Sequence, residues 1–118
     1  MNIETIDAAI LAHVTWVARF QSAIKGISTE TFDIGAAADD TACVLGQWLQ
    51  TECAHTLLEK DLYNKINVIH GAFHQVAGNI AARLNQREAG NEIEEWLAEF
   101  NNLSKQLVTI LLHGKKNM

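Results

Sequence analysis

Proline is absent from this chain of 118 residues, and glycine occurs only 7 times. A turn-rich β fold uses both at its corners, and either one weakens the interior of a helix, so their scarcity favours long helices. Cysteine is scarce as well, with only Cys43 and Cys53. Two are too few for a disulfide framework. On a single helix these two positions would stand ~15 Å apart along the axis, beyond the reach of a bond between them. Reduced thiols, open to a metal or an oxidant, fit better. No apolar run approaches the roughly 20 residues of a membrane-spanning helix. The start of the chain carries Glu4 and Asp7 instead of a basic stretch ahead of an apolar one. No secretory leader is therefore expected, and the cytoplasm is the default location. Excess positive charge is missing too: 9 basic against 14 acidic side chains give a net charge of −5. Nucleic acid asks for a basic patch, and an anionic membrane surface asks for a basic amphipathic helix. Neither partner is expected.

What is present is apolar side chain at 48% of positions, enough for a core without covalent staples. The length suits one domain spanning residues 1–118. A first helix is expected from about Ile3 to Lys25, with Ile3, Ile6, Ile10, His13, Val17, Phe20 and Ile24 at the alternating three-four spacing of a bundle seam. His13 alone interrupts that seam. Gly26 suits a C-cap, and residues 27–39 read as a loop. Asp39, Asp40 or Thr41 is expected to cap a second, short helix that holds Cys43 and Trp48 and ends near Thr51 to Cys53. A third helix is expected from about His55 to Arg87, where Ile66, His70, Phe73, Ala77, Ala81 and Leu84 follow the helical period. Gly71 and Gly78 would let a neighbour pack closely there. Gly90 and Asn91 break the chain. The last helix carries Ile93, Trp96, Leu97, Phe100, Leu103, Leu107, Ile110 and Leu111 on one stripe. Gly114 is its expected C-cap, followed by Lys115 and Lys116. The expected fold is all-α: an antiparallel four-helix bundle with a short extra helix carrying a cysteine ligand.

The clearest chemistry is His70-Gly71-Ala72-Phe73-His74. Histidines at i and i+4 point the same way, one turn apart, and can share an ion at the ~2.0–2.1 Å zinc prefers. Phe73 and Ala77 turn this face inward, where unsatisfied imidazoles are costly. His13 lies on the core seam of another helix. Each histidine alone could be satisfied by a backbone carbonyl. Three inward ones with a cysteine nearby supply three nitrogens and a thiolate, a donor set suited to closed tetrahedral zinc.

These residues resemble a family, the chemoreceptor zinc-binding domain. Its first helix shows His followed three residues later by Trp, here His13-Val14-Thr15-Trp16. Its next motif is Cys-x-hydrophobic-Gly-x-Trp, here Cys43-Val44-Leu45-Gly46-Gln47-Trp48. Its last is His-x-x-x-His, here His70 to His74. The three occur in the family's order over essentially the whole chain. The resemblance implies that His13, Cys43, His70 and His74 are the zinc ligands. It implies a regulatory module coupling zinc, or oxidation of the bound cysteine, to a chemoreceptor or a diguanylate cyclase, and it implies a homodimer. The chain departs from the pattern in carrying no receptor or cyclase part, so a stand-alone member is expected: a free-standing sensor, an accessory protein, or a domain whose output partner is a separate signalling chain.

The residues also bear on a switch. A thiolate at a helix N-terminus beside zinc is stabilised as the anion, the form oxidants attack. Four ligands from three segments tie folding to metal binding. Other roles are expected to be plainer. Trp16 and Trp48 would pack around the site, Gly46 would allow close helix approach, and Asp40 would cap a helix before it would support the ligands. Cys53 and His55 read as a loosely packed thiol and a surface imidazole, His113 as a helix C-terminal residue outside the site, and Trp96 and Phe100 as core or dimer-interface residues. An alternative is a zinc hydrolase-like enzyme, which needs an open coordination position and a base. No carboxylate falls within one turn of His70 or His74 on their face. A di-iron bundle would need Glu three residues before each His, where Asn67 and Gly71 stand. A purely structural zinc in an interaction domain is the remaining alternative.

Overall fold

The computed structural model describes residues 3–41, 43–51, 54, 59–86 and 91–116. Among these the chain forms α1 (Ile3–Ile24), α2 (Ile34–Ala38), α3 (Val44–Leu49), α4 (Lys60–Asn85) and α5 (Asn91–Lys116), with no strand. None of these helices is long and apolar enough to cross a membrane.

The direction of each helix follows from the core. Buried apolar residues form two clusters. One joins Ile6, Leu45, Trp48, Leu49, Ile66, Leu107 and Leu111. The other joins Val17, Phe20, Phe32, Ala37, Phe73, Ala77, Ile80 and Phe100. α1 and α4 both run from the first cluster to the second, and α5 runs back. The segment from Phe32 and Ala37 in α2's neighbourhood to Leu45 in α3 also runs back. The result is an up-down-up-down bundle in which two short helices fill the place of the second long one. Phe100 stacks on Phe73 at 4.2 Å and tilts against Phe20 at 5.3 Å. Burying each such ring stabilises the fold by roughly 1.5–3 kcal/mol.

The ends of the helices explain their lengths. Gly26 takes φ +78, the left-handed conformation glycine adopts without strain. There Ile27 N–H reaches Ser22 O at 2.9 Å and Gly26 N–H reaches Ala23 O at 3.1 Å, a Schellman closure of α1. α2 was missed in the sequence, where 27–39 reads as loop. Asp33 caps it by accepting the N–H of Ala36. The cap of α3 is neither Asp39, Asp40 nor Thr41 but Cys43, whose sulfur accepts the N–H of Gly46 at 3.4 Å. The carboxylate of Asp39 instead accepts the N–H and hydroxyl of Thr41.

α4 begins at Lys60 instead of His55, because Glu59 is extended, with φ −58 and ψ 146. Residues 55–58, and Arg87 and Gly90 beyond the other end, lie outside the described residues, as does Cys53. α5 runs through Gly114 to Lys116, so that glycine is not a C-cap and the two lysines are helical. Arg83 at the end of α4 meets Glu92 at the start of α5 at 3.6 Å. At the same end of the bundle Asn85 both donates to Phe32 O and accepts from Phe32 N–H, each at 2.8 Å.

Candidate metal centre

A polar layer separates the two apolar clusters. His13 lies between Ala9 and Val17 on α1, His70 and His74 flank Phe73 on α4, and Cys43 precedes Leu45 at the head of α3. All three histidines are buried, each 1% exposed, while Cys43 is only partly covered. Their ligand atoms lie within 4.8 Å of one another. Cys43 Sγ is 3.1 Å from His70 Nε2 and 3.9 Å from His13 Nε2. A zinc tetrahedron with ordinary bond lengths spaces its corner atoms ~3.3–3.6 Å apart. The donors thus converge at about the right separation.

Backbone carbonyls orient the rings. Nδ1–H of His13 donates to Ala9 O at 2.5 Å, one turn back on its own helix. Nδ1–H of His74 donates to Ala37 O of α2 at 2.8 Å. A ring that donates from Nδ1 keeps the lone pair on Nε2, which is the tautomer a metal takes. Nε2 of His74 is buried with no hydrogen-bond partner. An orphaned acceptor aimed into a cluster of donors is costly unless a cation shares it. The ring centroids of His70 and His74 are 4.6 Å apart, and Phe73 sets its edge against His13 at 4.9 Å. Aromatic surface thus backs the layer and keeps water off it.

Burial decides the charge states. It pushes His13 down to about 4 against the raising effect of the Ala9 carbonyl, and His70 down to about 3, helped by the other two imidazoles. His74 is lowered too, again by burial, with the Ala37 carbonyl opposing. All three are therefore neutral at neutral pH, the form in which an imidazole can bind a metal. Burial also pushes the Cys43 thiol up, and the N–H groups of Gly46 and Leu45 only partly offset it. The short helix by itself does not make Cys43 a thiolate. A bound cation would, because coordination deprotonates a thiol outright.

One motif residue has a different job from the expected one. Gly46 faces the preceding turn and not another helix: a Cβ there would land on the carbonyl oxygen of Asp40. Gly78 does admit a helix, since a Cβ there would stand 2.7 Å from the Cβ of Ala38 in α2. Trp48 is buried in one cluster, and Trp16 packs at the edge of the other, 5.5 Å from Phe20 with the Arg19 guanidinium 4.3 Å from its own ring. Phe100 is core and Trp96 is partly buried beside it. His113 is exposed on α5, away from the four. Cys53 and His55 lie outside the described residues. Sequence reasoning missed the carbonyl of Ala37, which no side-chain pattern announces. The pair of small residues Gly78 and Ala38 was the available hint that α2 lies against α4.

The four donors can hold a metal ion, and three imidazoles with one thiol suit zinc. No curated protein and no solved structure matches the chain. A family model, that of the chemoreceptor zinc-binding domain, matches residues 13–81, which is more than half of the chain and takes in all four donors. With three neutral imidazoles and a thiol brought together at the positions of that family's motifs, the chain belongs to the chemoreceptor zinc-binding domain family.

Proposed function

We propose that this protein is a regulatory zinc-binding module in which His13, Cys43, His70 and His74 hold one zinc ion, and that loss of the metal or oxidation of Cys43 is its signal. The convergence of four donor atoms within 4.8 Å, in a layer between two apolar clusters, carries the proposal. Zinc supplies a charge that ties the thiolate to the three imidazoles. The chain's own residues do the rest. Ala9 and Ala37 carbonyls hold two rings in register, and Phe73 shields the layer. Four protein donors fill a tetrahedral site, which favours regulation over hydrolysis, where a coordination position stays open.

Cys43 is the least covered of the four residues. Cys43 is partly exposed while the histidines are buried, so hypochlorite or peroxide reaches it first. Oxidation to the sulfenic acid reduces the oxidant and weakens sulfur as a ligand. α3 then loses the tie that its sulfur makes to α1 and α4, keeping only its core packing and the Tyr63 hydrogen bond. A chemoreceptor or diguanylate cyclase as the reader of that change, a cytoplasmic location and a homodimeric form are parts of the same proposal, supported by the family alone.

Metal analysis by mass spectrometry tests it. The wild type is expected to carry near one zinc per chain, and Cys43→Ala to lose it to a mild chelator. A fully folded wild type that takes up no zinc would reduce the histidines to core residues.

A further inference from the structure

A divalent ion held by one thiolate and three neutral imidazoles keeps one net positive charge. In a buried layer an uncompensated charge is costly, and the four-donor cluster contains no carboxylate. One stands beside it. Asp40 is half-buried, three residues before Cys43. Its main chain is fixed twice: its carbonyl lies 3.8 Å from Cys43 Sγ and fills the space where a Gly46 side chain would be. Its carboxylate reaches across to α4, where Oδ2 lies 3.6 Å from the place a Cβ on Gly71 would take. Gly71 follows His70 and precedes His74 by less than a turn, so the seat lies against the histidine helix. The neighbouring Asp39 is exposed, and its carboxylate is engaged by Thr41.

From this placement, and resting on the zinc reading above, we propose that Asp40 is the counter-charge of the metal centre: a positioning residue that raises zinc affinity without touching the ion. Gly71 borders the same seat: a Cβ there would stand in ordinary van der Waals contact with the carboxylate. The role differs from the helix cap expected of Asp40, a task Cys43 performs.

The test is zinc affinity measured by competition with a chromophoric chelator, at low and high concentrations of a salt whose anion does not bind zinc. Asp40→Asn, which keeps size and backbone, is expected to bind about tenfold more weakly, the low end of what losing a polar partner around a metal costs. Asp40→Glu is expected to stay within about threefold of wild type. Because Asp40 is half-exposed, salt screens it, so wild-type affinity falls with salt more steeply than that of Asp40→Asn. Asp40→Glu, which keeps the charge, is expected to keep the wild-type salt dependence. Equal affinity and equal salt dependence in wild type and Asp40→Asn would overturn the proposal while leaving the zinc reading intact. A wild type that binds no zinc would overturn both.

Discussion

The two halves of the metal centre are built differently. His13, His70 and His74 stand in the middle of long helices of 22 and 26 residues. Their backbones are held by unbroken helical ladders. The cysteine side is a helix of 6 residues, too short to persist alone. It stays in place through Leu45, Trp48 and Leu49 in the core, through the Tyr63 hydroxyl donating to Leu49 O at 2.6 Å, and through its own sulfur. One half is a preformed cradle and the other is a clip. A site made this way can lose its clip without losing its fold, which is what a switch requires.

Breaking the clip should have the largest effect. Cys43→Ala is expected to weaken zinc binding by more than about 100-fold, beyond what losing an outer partner costs, while three imidazoles retain a weak site. Chelator competition reads the loss, and far-UV circular dichroism should show the long helices kept. Gly46→Ala attacks the same clip from behind. Its Cβ would strike the Asp40 carbonyl, moving either the turn or the head of α3. About 10–100-fold weaker zinc binding is expected, with no change to any ligand. Zinc binding as tight as wild type in Gly46→Ala would show that the thiol is not placed by this contact.

The cradle is tested by smaller changes. Gly78→Ala puts a Cβ 2.7 Å from that of Ala38 and lifts α2, shifting the Ala37 carbonyl that orients His74. A loss of about tenfold in affinity is expected, with stability falling by about 1–3 kcal/mol from overpacking. Acid sharpens the comparison in the metal-free protein. Burial lowers His13 to about 4 and His70 to about 3 from 6.5, so the unfolded chain takes up protons first. Stability is full above about 6.5 and falls as pH drops toward 3–4. Urea unfolding at pH 7.5 and pH 5 should show the protein weaker at the lower value. An unchanged midpoint would mean that the histidines are not held neutral. His113→Ala, at an exposed site, should leave zinc affinity unaltered and stability within about 0.5 kcal/mol.

The cradle was legible in the sequence, and so were the short helix of the clip and its cysteine, but α2 and the cap of α3 were not. A long helix repeats its stripe many times, so a polar residue such as His13 stands out against it. α2 spans barely more than one turn and buries only Ala37, which leaves no period to read. The cap of α3 was misplaced because sulfur is not a usual capping atom. The start of α4 was misplaced because Glu59 turns the chain without glycine, proline or a side-chain cap. Gly114 failed as a stop because a lone glycine costs a helix only ~1 kcal/mol. The histidine pair could be named from spacing and the cysteine from the family resemblance, but the Ala37 carbonyl and the seat of Asp40 are products of tertiary packing.

X-ray absorption at the zinc edge tests the central claim most directly. The account predicts a four-coordinate ion in the zinc-loaded wild type, with one sulfur at ~2.3 Å and three nitrogens at ~2.0–2.1 Å, and the sulfur replaced by a light atom in Cys43→Ala. A wild-type spectrum without sulfur, or with five or six oxygen and nitrogen neighbours, would contradict it.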